Sequence, residues 1–176
     1  MRRATLFALV FGCLVTNAAR TTAQTAYGSV GAGIGAAGNG FGDVYRITQA
    51  VGGVEVLIDA HVGLGGRIGV AAGGGDAVAP LSLNGTYYFG NESRGAGNVA
   101  YVSGGYTRMA WLTERIADNA YNVGSGVVLW GTGRSGLAIE VRDVIRPGSS
   151  VNVPGRTIDV SPTRHWVSIN AIATFR

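Results

Sequence analysis

An alternation with a period of two runs through this chain, and its longest clean instance is residues 166–175. Val167, Ile169, Ala171, Ala173 and Phe175 fall on one face of an extended segment. Trp166, Ser168, Asn170, Ile172 and Thr174 fall on the other. Successive side chains of a strand point to opposite sides, so the pattern predicts a strand that is apolar on one side and mixed on the other. Chain ends ordinarily fray and are polar. A strand of this kind has a purpose in last place when it must pair with the first and so remove both sheet edges.

Seven earlier segments carry the same period. Residues 26–35 set Val30, Ala32 and Ile34 against Ser29, Gly31, Gly33 and Gly35, and residues 51–59 set Val54, Val56 and Ile58 against Gly53, Glu55 and Leu57. Residues 62–70 oppose Val62, Leu64, Ile68 and Val70 to Gly63, Gly65 and Arg67. Residues 80–90 oppose Leu81, Leu83, Tyr87 and Phe89 to Ser82, Asn84, Thr86 and Tyr88, with Pro80 placed at the strand start, where its missing N–H costs least. Residues 99–112 are less regular: Val102, Tyr106 and Leu112 compete with Tyr101, Met109 and Trp111, which predicts a bulge near Gly104-Gly105. Residues 121–130 and 137–145 alternate again, the latter with Asp143 misplaced on the apolar side. The fold class is therefore all-β, an eight-stranded antiparallel up-and-down transmembrane β-barrel.

Composition narrows the alternatives. Only 14% of residues are charged and 47% are apolar, which disfavours disorder. With 30 glycines, long helices would be costly, whereas the crowded lumen of a small barrel needs small residues. The net charge of +4 is modest and its arginines are scattered, so there is no stripe for nucleic acid. Arg2, Arg3 and the apolar run 4–15 have the layout of a secretory signal peptide over 1–23, leaving 24–176 as the barrel domain. Cys13 is the only cysteine and lies in that run, loosely like a lipoprotein box, so no disulfide or Cys-based zinc site is expected in the exported chain.

The two faces indicate the solvent. The apolar face of a soluble barrel would point inward, and its outer face should carry far more charge than this chain offers. The expected arrangement is lipid outside, met along the last strand by Val167, Ile169, Ala171, Ala173 and Phe175. Glu55, Arg67, Arg108, Glu140 and Arg142 then form a lumen charge network, because an isolated buried charge is costly. Odd-numbered links of roughly 15, 8, 8 and 17 residues against even-numbered links of roughly 2, 8 and 5 place two long loops, 36–50 and 146–162, at one end. Trp111, Tyr121, Trp130, Trp166, Phe175, Tyr87 and Phe89 fall near strand ends, where membrane barrels carry interfacial girdles.

Several stretches together resemble a known family. They are Gly52-Gly-Val-Glu-Val-Leu57 running into His61-Val-Gly-Leu-Gly-Gly-Arg67, then Tyr101-Val-Ser-Gly-Gly-Tyr106 and Gly136-Leu-Ala-Ile-Glu-Val-Arg-Asp143, and the near-terminal Phe175. The chain from 24 to 176 is similar to the small outer-membrane β-barrels of Gram-negative bacteria, the OmpA/OmpX type. The resemblance implies an outer-membrane location, outer-membrane lipid as surroundings, and recognition of the aromatic last strand by the outer-membrane assembly machinery. Arg176 after Phe175 departs from the family's terminal aromatic.

Motifs for chemistry are sparse. Gly33-Ile-Gly35-Ala-Ala-Gly38 matches a dinucleotide fingerprint, but Asn39-Gly-Phe-Gly-Asp43 makes a poor start for the helix it requires. His61 and His165 fall at opposite barrel ends and cannot share a metal, and Ser168 lies on the opposite strand face from His165. No cofactor, metal or catalytic residue is assigned. The expected role is structural or surface-interacting through the external loops. The rivals are a lipid-modifying barrel enzyme using His165 with Ser161 and Asp159, and a soluble small-ligand barrel.

Overall fold

The computed structural model describes residues 25–38, 44–90, 97–112, 117–131, 134–153, 156–161 and 163–176, and the side chains of 149–162 are outside that description. The expected signal peptide, the lipid-box cysteine, and Ser161 and Asp159 as side chains lie outside the described residues. The described residues form ten strands: β1 (Ala26–Gly38), β2 (Val44–Leu57), β3 (Val62–Gly73), β4 (Asp76–Tyr88), β5 (Asn98–Trp111), β6 (Ala117–Trp130), β7 (Ser135–Arg146), β8 (Ser149–Val153), β9 (Arg156–Ser161) and β10 (Arg164–Phe175). Eight of them close an antiparallel barrel in the order β1-β10-β7-β6-β5-β4-β3-β2, and β8 with β9 forms a separate two-stranded hairpin. The closing seam runs in unbroken register from Gly28↔Phe175 to Ala37↔Trp166.

Side-chain alternation follows the predicted phase on seven of the eight staves. Val30, Ile34, Leu64, Ile68, Leu81, Leu83, Val123, Val127, Ile139, Val141, Val167 and Ile169 are all more than a third exposed, while Ser82, Asn84, Thr86, Ser103, Asn122, Glu140 and Asn170 are buried. Apolar residues thus face out and polar ones in. This overturns the soluble small-ligand barrel, which needs its apolar face turned inward.

Other expectations are also corrected. The loop expected at 36–50 is mostly strand: β1 extends to Gly38 and β2 begins at Val44, because Tyr45, Ile47, Gln49 and Val51 continue the inward phase and pair back onto β1. The link expected before residue 80 shrinks to Gly74-Gly75, whose φ values of 63° and 88° suit the two central positions of a tight hairpin turn. Pro80 therefore lies inside β4. The β3–β4 ladder skips from Ile68↔Leu81 to Ala71↔Val78 around it, as a residue without an N–H requires, while Pro80↔Met109 holds on the other side.

With those changes the links at one end are 39–43, 74–75, 112–116 and 147–163, and at the other 58–61, 89–97 and 131–134. The predicted end-to-end asymmetry reduces to one long loop, 147–163, which carries β8 and β9. We call its end the hairpin end and the other the far end.

No bulge interrupts β5. Its registers with β4 and β6 run unshifted from Tyr88↔Tyr101 to Val78↔Trp111 and from Asn98↔Leu129 to Ala110↔Ala117. Tyr101 and Met109 point in, so Val102, Tyr106 and Arg108 point out. Arg108 therefore leaves the predicted lumen network. The strand phase is fixed by the large residues that must fit inside, and the outward position near the rim lets a long guanidinium reach out of the apolar zone. The three tryptophans are corrected too. Trp111, Trp130 and Trp166 share strand faces with inward residues and pack on the interior clusters, leaving Tyr87, Phe89, Tyr121 and Phe175 of the expected girdle, together with Tyr106, as exposed outer aromatics.

Gly33-Ile-Gly35-Ala-Ala-Gly38 lies within β1, paired with β2 throughout and with β10 as far as Ala37, so it opens no nucleotide-binding helix. Its glycines serve the seam. A Cβ on Gly33 would come within 2.6 Å of the Ile169 carbonyl oxygen, and one on Gly35 would come within 2.8 Å of Ser168 Cα.

Candidate functional site

The lumen is layered. At the far end Tyr27, Leu57, Tyr88, Val99, Tyr101, Val128 and Ile172 form one apolar cluster, with Trp130 against it. At the hairpin end Ala37, Ile47, Ala71, Val78, Met109, Ala120 and Trp166 form another, flanked by Tyr45, Trp111 and Val144. Between them lies a polar layer supplied by the inward positions of β2 to β7 and β10.

Glu140 is the centre of that layer and is 0% exposed. Arg67 grips it in a fork, Nη1 to Oε1 at 2.5 Å and Nη2 to Oε2 at 3.1 Å. Arg142 makes a second fork, Nε to Oε1 at 2.9 Å and Nη2 to Oε2 at 2.8 Å. The Tyr101 hydroxyl donates to Oε2 at 3.0 Å, and the Asn170 amide to Oε1 at 3.4 Å. Arg142 also donates to the Asn122 side-chain oxygen and to Ser103 Oγ, the latter at 2.8 Å. The chain continues from Asn122 Nδ2 to Thr107 Oγ1 at 2.9 Å, and Thr107 meets Ser82 at 2.8 Å. Gln49 donates to Asn170 Oδ1 at 2.5 Å.

Glu55 stands apart from this core, accepting from the Tyr88 hydroxyl at 2.5 Å and from Thr86 Oγ1 at 2.6 Å. The structure thus brings Arg67, Glu140 and Arg142 into one ion cluster, places Glu55 in the same lumen on its own hydroxyl partners, and puts Arg108 outside. Within this set two arginines face two glutamates, so their formal charges balance, and Glu140 and Glu55 each accept hydrogen bonds from neighbouring side chains.

Room inside is small. A cavity of about 70 Å³ lies among Glu55, Arg67, Tyr88, Tyr101, Glu140 and other residues toward the far end. Another, of about 10 Å³, lies among Ala37, Ile47, Val78 and Trp166 at the hairpin end, and the two share no lining residue. Arg176 covers the far end: its guanidinium carbon sits 4.0 Å from the Trp130 ring centre and 5.4 Å from that of Tyr27. Its backbone N–H donates to the Arg134 carbonyl at 2.9 Å.

Of the residues that finish the network, Ser82, Thr86 and Asn170 were visible in the sequence on the mixed faces of their strands, whereas Ser103 and Thr107 on the irregular β5 and Gln49 in the expected loop 36–50 were not. Nor were the inward Tyr27, Ile47 and Met109. Their signal is that the inward face, otherwise small or polar, turns large at both ends of its strands.

Outside, three polar features interrupt the apolar wall or its rim. His165 Nδ1 lies 2.7 Å from Asp143 Oδ2, both on outward positions of β10 and β7. Ser168 points inward, to the Arg142 carbonyl at 3.4 Å, so it is no partner for His165. On β5 and β6 the Asn119 side-chain oxygen accepts from Arg108 and, at 2.6 Å, from the Tyr106 hydroxyl. At the far end, Asp59 Oδ1 accepts the N–H groups of His61 at 2.6 Å and Val62 at 2.7 Å. Those two donors hold its carboxyl below the usual value of 3.8. Among the described residues no three His, Cys, Asp or Glu side chains gather as a metal site.

No family model and no curated protein sequence matches the chain. Solved structures do. The chain is similar to the Neisserial surface protein A, NspA, with a TM-score of 0.67 and 11% identity over 88% of this chain and 99% of that one. It is likewise similar to the N-terminal β-barrel domain of Pseudomonas aeruginosa OprF, with a TM-score of 0.58 and 14% identity over 86% of this chain and 98% of that one. At such identities the likeness is one of architecture, and it agrees with the register and closure described above. This chain has the eight-stranded fold of the small outer-membrane β-barrels.

Proposed function

We propose that this protein resides in the outer membrane as a filled barrel, without catalysis, and acts structurally or as an interaction platform through the loop 147–163. The observation that carries this is the inversion of the two faces: a nearly uncharged apolar wall turned outward and a hydrogen-bonded ionic layer turned inward. Lipid is the solvent that makes that inversion stable, because closed strands satisfy every backbone group without water. The last strand, with Val167, Ile169, Ala171, Ala173 and Phe175 outward, is the segment we assign to the outer-membrane assembly machinery. The hairpin end faces outward from the cell in this reading, since β8 and β9 give it the one long projecting loop.

The test is fractionation joined to gel migration. The protein should sediment with outer membranes, and the folded form in detergent should migrate differently before and after boiling. Recovery in the aqueous fraction, or identical migration in both states, would overturn the reading. A second reading, a lipid-modifying enzyme, draws on the His165–Asp143 contact at 2.7 Å. Among the described residues no hydroxyl bonds to His165, and the next outward position on its strand is Val167. The lipid profile of the same membranes separates the two: a profile that changes with the wild type and not with His165→Ala would establish the enzyme.

A further inference from the structure

The outward charges of the barrel are few and one-sided. On the outward positions of the eight barrel strands the Asp, Glu, Lys, Arg and His residues are Arg46, Arg108, Asp143 and His165. All four fall in the half of their strand nearest the hairpin end, and the outward positions of the far half carry none. Asp143 is engaged by His165. Arg46 and Arg108 have no carboxylate within ion-pair distance among the described residues.

Arg108 is the more fully built of the two. It pairs across to Asn119 in the β5–β6 ladder, two residues along from Tyr106. Asn119 Oδ1 is the acceptor for both the Arg108 Nη1–H and the Tyr106 O–H. That leaves the Asn119 amide hydrogens and the rest of the Arg108 fork directed at nothing described, on an exposed surface bordered across the ladders by Leu81, Leu83 and Tyr121. The cluster is therefore rich in donors, has its one side-chain carbonyl already used, carries a net positive charge, and sits on an apolar wall near its rim. A guanidinium fork beside an amide fits the tetrahedral oxygens of a phosphate. The adjoining apolar wall fits acyl chains.

We propose that the surface formed by Arg108, Asn119 and Tyr106 binds the phosphate of an anionic lipid headgroup in the leaflet at the hairpin end. This rests on the membrane reading above and adds to it a specific lipid contact and its side of the bilayer. Arg46, on β2 and three strands round the barrel, lies at the same rim and offers a second, less elaborated contact.

The protein is refolded into phosphatidylcholine vesicles containing a minor share of phosphatidylglycerol, and the lipids it retains are identified by native mass spectrometry. The wild type should retain phosphatidylglycerol in excess of its share. Arg108→Gln should lower that enrichment about fivefold, the effect of one arginine at an anionic surface, and Asn119→Ala should lower it less. Inorganic phosphate in solution should compete poorly, because it lacks the chains that lie along the wall. Equal enrichment in wild type and Arg108→Gln overturns the proposal. Full displacement by inorganic phosphate overturns the lipid assignment, leaving an adventitious ion only.

Heat-modifiable migration of each variant reports that it folded. If Arg108→Gln fails to fold, Arg108→Lys, which keeps the charge and loses the fork, carries the comparison and should retain part of the enrichment. Failure of the wild type to enter vesicles would defeat the membrane reading itself. Entry with no dependence on Arg108 would defeat this inference alone.

Discussion

Replacing Glu140 by glutamine keeps its size and removes the charge that Arg67 and Arg142 both grip. A buried ion pair adds little net stability over a well-packed apolar substitute, but deleting one partner strands the other charge. Here two charges would be stranded. We expect Glu140→Gln to cost about 3–5 kcal/mol, read as a shift in the urea midpoint of the vesicle-inserted protein. Adding Arg67→Met should recover part of the loss, and a midpoint unmoved by Glu140→Gln would show that the cluster is not what holds the interior.

The same scale shows what could be read in advance. Glu55, Arg67, Glu140 and Arg142 could be placed in the lumen because each lies on the strand face opposite a run of Val, Ile and Leu. Arg108 could not, because Tyr101, Met109 and Trp111 compete with Val102 and Tyr106 for the outer face of β5. Large side chains on both faces erase the phase that periodicity depends on, and the assumption that charge belongs inside then chose the wrong face.

At the level of elements, the strands were legible and their ends were not. The turn between β3 and β4 is the clearest case. A Gly-rich run gives no apolar marker for a strand boundary, so the link looked longer than the two residues it has. Gly75 has φ of 88° with nothing near the place of a side chain, so its requirement is conformational alone. Gly75→Ala should therefore cost about 1–2 kcal/mol through the left-handed backbone. Gly28→Ala, also without near neighbours but without positive φ, should be close to neutral. Urea midpoints of the two variants make the comparison, and equal losses would contradict the turn geometry. The extension of β2 back to Val44 was missed for a related reason: Arg46 and Gln49 look like loop residues until Tyr45, Ile47 and Val51 are seen to share the inward phase.

For the molecule as a whole, the layered interior decides between a pore and a plug. Apolar clusters flank the polar layer toward both ends, Glu140 is held by two forks, and the two cavities share no lining residue. Planar-bilayer recordings should show no steady conductance from the wild type, and sustained channel openings would mean that the forks around Glu140 part. The barrel and its inside-out chemistry were legible from alternation and from scarce charge. The plugs were not, because inward aromatics at strand ends look the same in sequence as outward ones at an interface.

The seam between β1 and β10 has a consequence for how such a chain is made. Every other neighbouring pair in the barrel except β7–β10 is adjacent in sequence, whereas Gly28↔Phe175 joins residues from opposite ends of the described chain. Loop-closure entropy makes that pairing the most demanding to form and hence a late one. Until it forms, the growing sheet has two open edges and an apolar face, each able to recruit another chain. Time spent unclosed is therefore the dangerous interval in this protein's life, and the rate at which its last stave finds its first sets how much of it survives to be folded.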